Sequence, residues 1–517
     1  MGKHILLSGA RAPHILSRQG SRRPCRSVEG LPSPTLCRED QKLKADIIFR
    51  NADIIDGTGG PRRKGDVAVT GDRIAAIGEL SEMAGGREED CSGLAVAPGF
   101  IDPHVHNDLA VFTHPDMASV VSQGVTTIIN GNCGFSLAPL TAPDPVPQPL
   151  RMLFGLNAPR FASFGEYRDR LRAEPPAVNS GCLVGHGTLR VNEVADLERA
   201  ADETELRAMS RALDKALAEG GIGLSTGPFY APARASSTHE LTQMARVARQ
   251  HGKLYVTHMR DEGDRVVEAV EETLEIGRNS CCGVHISHHK CAGVANFGVS
   301  VRTLEMIDAA MKLQDVGLDT TPWTASSTIL NSGRHRQAER VIVAESEPFP
   351  EHTGRDLADV AAEWGVDLDE AVERLLPATG IFFIMDEQDV QRILSYQHTM
   401  ICSDGIAGGT HPHPRVWGTF PRVLGHYARD VGLFSLEEGV RRMTSLTADR
   451  FGLKERGRLR AGHFADIVVF NPATISERAT YEKPVQPAEG IASVYVNGTA
   501  VWKCGEITGS RPGHVLA

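Results

Sequence analysis

The sequence predicts an α/β protein: a TIM-type (β/α)8 barrel with a small β-sandwich domain built from both ends of the chain and an insertion before the last strand. Three observations predict it. Eight short apolar runs alternate with helical stretches through the middle of the chain, both flanks carry short alternating strands with Gly-rich turns, and one long stretch interrupts the rhythm between the seventh and eighth runs. A chain of 517 residues exceeds one ordinary core, and a barrel with a smaller companion accounts for its length.

On the N-terminal flank, residues 46–50, 66–70 and 73–77 alternate apolar and polar side chains between the turns Gly57-Thr-Gly-Gly60 and Gly71-Asp72. Residues 466–470 and 491–496 repeat that texture, and Asn497-Gly498 is a strong hairpin signal. These flanks, 45–96 plus 458–517, are expected to form one β domain around a barrel of 97–457. The barrel strands are expected at 96–102, 125–130, 182–185, 222–225, 254–257, 284–287, 316–319 and 398–402. Helices lie between them, including 205–219, closed by Gly220-Gly221, and 238–250, opened by a capping box from Ser237 to Glu240. Residues 322–387, rich in Pro, Arg and Glu, read as the insertion.

Composition narrows the function. Hydrophobic residues make up 41% and charged residues 23% of the chain, as in globular proteins, and no run of about 18 apolar residues is long enough to span a bilayer. A net charge of −10 argues against nucleic acid as the main partner. Ten cysteines without a repeating framework fit a reducing compartment, so a cytoplasmic protein is expected. Residues 1–44 are set apart as an extension. Up to about residue 28 it carries Lys3, Arg11, Arg18, Arg22, Arg23 and Arg26 and no acidic residue, which fits either a mitochondrial-type presequence or a poorly ordered tail.

In a TIM-type barrel the chemistry sits at the C-terminal ends of the strands. The first expected strand runs through Ala97-Pro-Gly-Phe-Ile-Asp-Pro-His-Val-His106, and residues i and i+2 of a strand point the same way, so His104 and His106 are expected to face one pocket. The second is followed by Asn130-Gly-Asn-Cys-Gly134. The fifth ends in Thr257-His258, the sixth in Ser287-His288 and the eighth in Cys402-Ser-Asp404. Taken singly, each reads better as a buried inert thiol or a satisfied strand-end side chain than as a ligand. Together they bring one thiolate, four imidazoles and one carboxylate to one mouth. Thiolate with imidazole selects zinc, and three ligands with an open position are the catalytic pattern, so Cys133, His258 and His288 are expected to hold the metal.

These segments, with Gly185-His-Gly-Thr-Leu-Arg190, Ser225-Thr-Gly227, Thr257-His-Met-Arg-Asp-Glu-Gly263, Thr324-Ala-Ser-Ser-Thr328, His413-Pro-Arg415 and Gly418-Thr-Phe-Pro-Arg422, resemble the D-aminoacylase (N-acyl-D-amino-acid deacylase) family of the amidohydrolase superfamily. The resemblance covers about residues 45 to 500. Many binuclear members of the superfamily bridge two metals with a carboxylated lysine after strand four. Here Ser225-Thr-Gly227 holds no lysine there, and Cys133 stands where the D-aminoacylase branch uses a cysteine ligand. The resemblance implies that zinc polarises the scissile amide carbonyl and acidifies water, that Asp404 is the general base and then acid, and that His104, His106 and Asp404 form a second, weaker metal site. It also implies that Tyr230, Lys290 and Arg415 anchor the substrate's α-carboxylate, assisted by Ser327. Two departures, His289-Lys290 for Leu-Lys and Thr320-Thr-Pro-Trp323 for a Tyr-Pro-Tyr type sequence, are expected to line the substrate side.

The expected activity is zinc-dependent hydrolysis of N-acyl-D-amino acids to a carboxylate and a D-amino acid. The rivals are hydrolysis of another amide, such as an N-acyl-D-glutamate, a dipeptide or a cyclic imide, and a non-catalytic barrel scaffold. Acyl-chain preference, side-chain preference and oligomeric state are left open.

Overall fold

Gly99 splits the first expected strand between two sheets. Ala95–Pro98 pairs antiparallel with Ile467–Phe470 in a nine-stranded sheet, whereas Phe100–Asp102 starts the barrel. A Cβ at position 99 would lie 2.2 Å from the Thr126 side chain, so only glycine lets the chain pass there. The computed structural model describes residues 44–517 apart from 144, 156 and 157, and the basic extension expected at 1–44 falls outside it except for Lys44.

Among the described residues the barrel has eight strands: β1 (Phe100–Asp102), β2 (Val125–Asn130), β3 (Asn179–Cys182 continuing as Val184–Gly185), β4 (Gly223–Thr226), β5 (Leu254–Thr257), β6 (Val284–Ile286), β7 (Val316–Thr320) and β8 (Thr399–Ile401). Every neighbouring pair in the two barrel ladders is parallel. β3 pairs with β2 through its first part and with β4 through its second, changing partner at Leu183. Closure comes from the segments that follow β1 and β8. Asp404 N donates to His104 O at 2.9 Å, His106 N donates to Gly405 O at 2.8 Å, and Ser403 N donates to the Asp102 carboxylate at 3.1 Å.

The helices between strands follow their sequence signals, with one exchange. Glu203–Ala218 buries Leu206, Met209, Leu213 and Leu217 at helical spacing, and each such side chain stabilises the fold by roughly 1.5–3 kcal/mol. Its N-terminus carries a full capping box from Asp202 and Glu205. The box expected at Thr238–Gln250 is half formed: Ser237 Oγ accepts from Glu240 N, but the Glu240 carboxylate turns away to the buried Arg190 and His186. A buried cation outcompetes a cap, because leaving Arg190 unpaired costs more than losing one terminal hydrogen bond.

Both flanks of the chain contribute to the nine-stranded sheet. It curls enough for the Phe49 and Tyr495 rings to meet at 5.1 Å, and it encloses its own core around Val67, Ile74, Val96 and Ile467. Asn497 and Gly498 both adopt positive φ, 48° and 77°, in the turn between Ile491–Val496 and Thr499–Lys503. The interruption before β8 folds as a three-stranded antiparallel sheet of Ala325–Ile329, Arg340–Ser346 and Ala378–Phe383, with Leu357–Trp364 and Leu368–Leu375 as its helices. Its first strand carries Ser327 to the mouth of the barrel.

Candidate metal centre

β1 ends at Asp102, so His104 and His106 do not project from a strand face as the sequence suggested. They belong to the closing seam, where Val105 bridges to Gly405 and keeps the local backbone extended. That seam also delivers Asp404. Its Oδ1 lies 3.6 Å from His104 Nε2 and 3.5 Å from His106 Nε2.

Cys133 sits in a left-handed conformation, φ 54°, in the tight loop after β2. β4 supports this loop at the point where a lysine is absent: Ser225 Oγ accepts from Gly134 N at 3.1 Å and donates to Gly131 O. Gly227 lets the loop approach, since a Cβ there would lie 2.2 Å from Cys133 O. His288, φ 34°, follows β6 and is held by Asp319 of β7, whose Oδ1 accepts from His288 N at 2.6 Å while Oδ2 meets His285 Nε2 at 2.6 Å. Asp404 is the third left-handed residue of the site, φ 50°. Non-glycine residues held in this region are uncommon and cluster at functional sites.

The donor atoms converge. Cys133 Sγ lies 3.2 Å from His104 Nε2, 3.4 Å from His288 Nε2 and 3.8 Å from His258 Nδ1, and the last two nitrogens are 3.0 Å apart. Three residue groups can each place their ligand atoms within 4.8 Å: His104 with His106 and Cys133, Cys133 with His258 and His288, and His104 with His288 and Asp404. Cys133 therefore stands between the two sets separated by sequence, not at the edge of one.

The donor set fits a zinc ion. Burial keeps the His104 and His258 imidazoles well below their usual titration range, so they are neutral and can donate lone pairs. Burial, reinforced by Asp404 and Glu262, pushes the Cys133 thiol well above its usual range, and a cation at this point is what converts it to thiolate. Burial alone would raise the Asp404 carboxyl as well. Arg415, then His288, His106 and His104, outweigh it and hold the group well below the usual carboxylate range.

The expected substrate anchors are placed as follows. Tyr230, Lys290 and Ser327 line a narrow cavity that opens beside Cys133, His258 and Asp404. Arg415 lies behind that wall, with Nη1 2.8 Å from Asp404 Oδ2 and Nη2 donating to Ser327 O at 3.4 Å. The cations were expected to await an anion, but each already has one: Arg415 pairs with Asp404, and Lys290 Nζ lies 2.6 Å from Glu262 Oε1. Two buried ammonium-type charges without counterions are too costly for a folded protein, so the fold supplies carboxylates. Neither family departure borders the cavity. His289 turns away from the barrel axis to Thr303, opposite in direction to His288, and Trp323 packs on His413 and Tyr481 while donating to Thr419.

Two residues of the site were missed from sequence. Glu262 lies buried against His288, Lys290 and Arg334, and Arg334 adds a second cation to the cavity wall, its guanidinium 4.9 Å above the Phe229 ring. Glu262 stands four residues after His258 in the quoted Thr257–Gly263 segment, a spacing that was the available signal. Arg334 falls within the stretch assigned to the insertion and gives none.

Residues 87–363 and 351–502 match the amidohydrolase family model. A D-aminoacylase of Alcaligenes xylosoxydans xylosoxydans is 52% identical over 472 residues, covering 91% of this chain and 97% of the relative. An N-acyl-D-aspartate deacylase of the same organism is 48% identical, covering 93% and 96%. The crystal structure of an N-acyl-D-glutamate deacylase from Bordetella bronchiseptica, complexed with zinc and a phosphonate mimic of the tetrahedral intermediate, superposes with a TM-score of 0.89 at 44% identity, covering 92% and 99%.

Proposed function

The chain belongs to the amidohydrolase family, in its D-aminoacylase branch, and from that premise we propose that it hydrolyses N-acyl-D-amino acids to a carboxylate and a free D-amino acid. The observation that carries this reading is the convergence of one thiol and three imidazoles beside a carboxylate held ionised by an arginine. Cys133, His258 and His288 hold one zinc tightly, and His104, His106 and Asp404 make a weaker second position. Zinc supplies Lewis acidity there, polarising the scissile carbonyl and acidifying water.

Asp404 takes the proton of the attacking water and passes it to the leaving amine. Its Oδ1 faces the two seam histidines while Oδ2 is occupied by Arg415, so one oxygen is left to face the reacting atoms. Lys290 and Tyr230 receive the α-carboxylate within the cavity, Ser327 contributes a hydroxyl, and Arg415 acts from the far side of Asp404. Phe135, Met152, Leu153 and Ile406 give the cavity an apolar wall for the acyl chain. Assay of paired N-acetyl-D- and N-acetyl-L-amino acids on metal-analysed protein tests the reading. Turnover of the D-series alone is expected, and equal turnover of both series would overturn it.

Arg334 favours a second reading of side-chain choice. With Lys290 it places two cations around the single carboxylate of Glu262, which leaves one positive charge in excess on that side of the cavity, away from Asp404, and suits an acidic D-side chain. N-acetyl-D-glutamate against N-acetyl-D-leucine in the same assay decides between an acidic and an apolar preference.

A further inference from the structure

Glu262 divides its two oxygens evenly. Oε1 meets Lys290 Nζ at 2.6 Å and His288 Nδ1 at 2.8 Å; Oε2 meets Arg334 Nη2 at 2.6 Å and lies 3.6 Å from His258 Nε2. Each oxygen thus serves one cation and one imidazole whose other nitrogen faces Cys133. The backbone around it is fixed on both sides, with Asp261 Oδ1 accepting from Gly263 N at 2.7 Å and Arg265 N at 3.2 Å, and Glu262 O accepting from Ala292 N at 2.6 Å.

The ring of His288 is contested. Its Nδ1 lies 2.9 Å from Lys290 Nζ as well as 2.8 Å from the Glu262 carboxylate. A neutral imidazole carries one N–H. If Nδ1 bears it, the ring donates to Glu262, and Nε2 turns its lone pair toward Cys133 and His258. If Nε2 bears it, Nδ1 accepts from Lys290, and an N–H points where a metal must bind. The second arrangement cannot ligate.

We propose that Glu262 is a positioning residue that selects the metal-binding tautomer of His288 against the opposing pull of Lys290. His258 is held less closely: its Nε2 lies 3.6 Å from the carboxylate, beyond hydrogen-bond reach, and has no hydrogen-bond partner among the described residues. One carboxylate therefore orients one of the three zinc ligands and holds the two cations of the cavity wall. This inference deepens the proposed zinc hydrolase but is read without substrate, so its failure leaves the substrate reading standing.

The test is chelator competition against zinc-loaded full-length protein. Glu262→Gln keeps the shape but removes the charge and turns an amide NH2 toward one of the two pairs of groups, and zinc affinity is expected to fall about 10- to 100-fold. Adding Lys290→Met removes the competitor and is expected to restore most of that affinity; because it also restores the charge balance, imidazole nitrogen NMR of the metal-stripped variants assigns the recovery, with Nε2 protonated in His288 expected in the single variant and Nδ1 protonated in the double. A folded Glu262→Gln protein that binds zinc like the wild type, or a double variant as weak as the single, would overturn the proposal. If Glu262→Gln does not fold, imidazole nitrogen NMR of the metal-stripped wild-type chain decides: Nδ1 protonated in His288 is expected, and Nε2 protonated refutes it.

Discussion

The two sides of the metal centre are built differently. Cys133, His258 and His288 come from loops that follow regular barrel strands and are braced by hydrogen bonds from Ser225, Asp319 and Glu262. His104, His106 and Asp404 come from the seam, where main-chain bonds close the barrel and the Nδ1 atoms of both histidines have no partner. The braced side offers a thiol and two imidazoles supported by side chains from other barrel segments. The seam offers a carboxylate whose charge is kept by Arg415. The contrast separates holding a metal from moving a proton, within one cavity.

Substitutions sharpen that contrast. The largest effect is expected from Cys133→Ala, which removes the donor shared by both sides. Metal analysis should show the tight zinc gone and turnover gone with it; full occupancy would remove the thiol from the ligand set. Asp404→Asn should keep zinc on the braced side yet lower kcat by about 10²- to 10⁴-fold, and loss of zinc in this variant would mean that the two sides are not separable.

Arg415→Met should reduce kcat/KM for N-acyl-D-amino acids by about 2–4 kcal/mol, the scale for breaking a desolvated charge pair. A larger loss on the free acid than on its amide is expected from a residue that also senses the α-carboxylate. Equal losses would confine it to Asp404. The smallest change is expected from Ser327→Ala, about 0.5–1.5 kcal/mol in kcat/KM for one neutral hydrogen bond, with zinc content unchanged.

The braced side was legible in the sequence because strand-end positions follow from the period of apolar runs, and Cys133, His258 and His288 sit just past those ends. The seam was legible in composition but not in geometry. His-x-His looks like two residues on one strand face, and Pro103, which cannot donate to a ladder, was the overlooked signal that β1 stops at Asp102. The left-handed backbone at Cys133, His288 and Asp404 left no mark either, since the hydrogen bonds that compensate it come from segments far along the chain. Glu262 and Arg334 escaped notice for a related reason. A buried ion pair is defined by its partner, and theirs are 72 positions apart.

The passage through Gly99 ties the catalytic mouth to the order in which the polypeptide emerges during synthesis. Once the ribosome has delivered Asp404, every metal-facing side chain exists, yet Ala95–Pro98 still lacks Ile467–Phe470 beside it, and Gly99 N lacks the Asp466 carbonyl that it meets at 2.8 Å. About sixty more residues must be made before that ladder is complete, although His104 and His106 lie only five and seven residues beyond Gly99. The segment that leads into the metal-facing histidines thus has, as its immediate neighbour in the sheet, a strand from the far end of the chain.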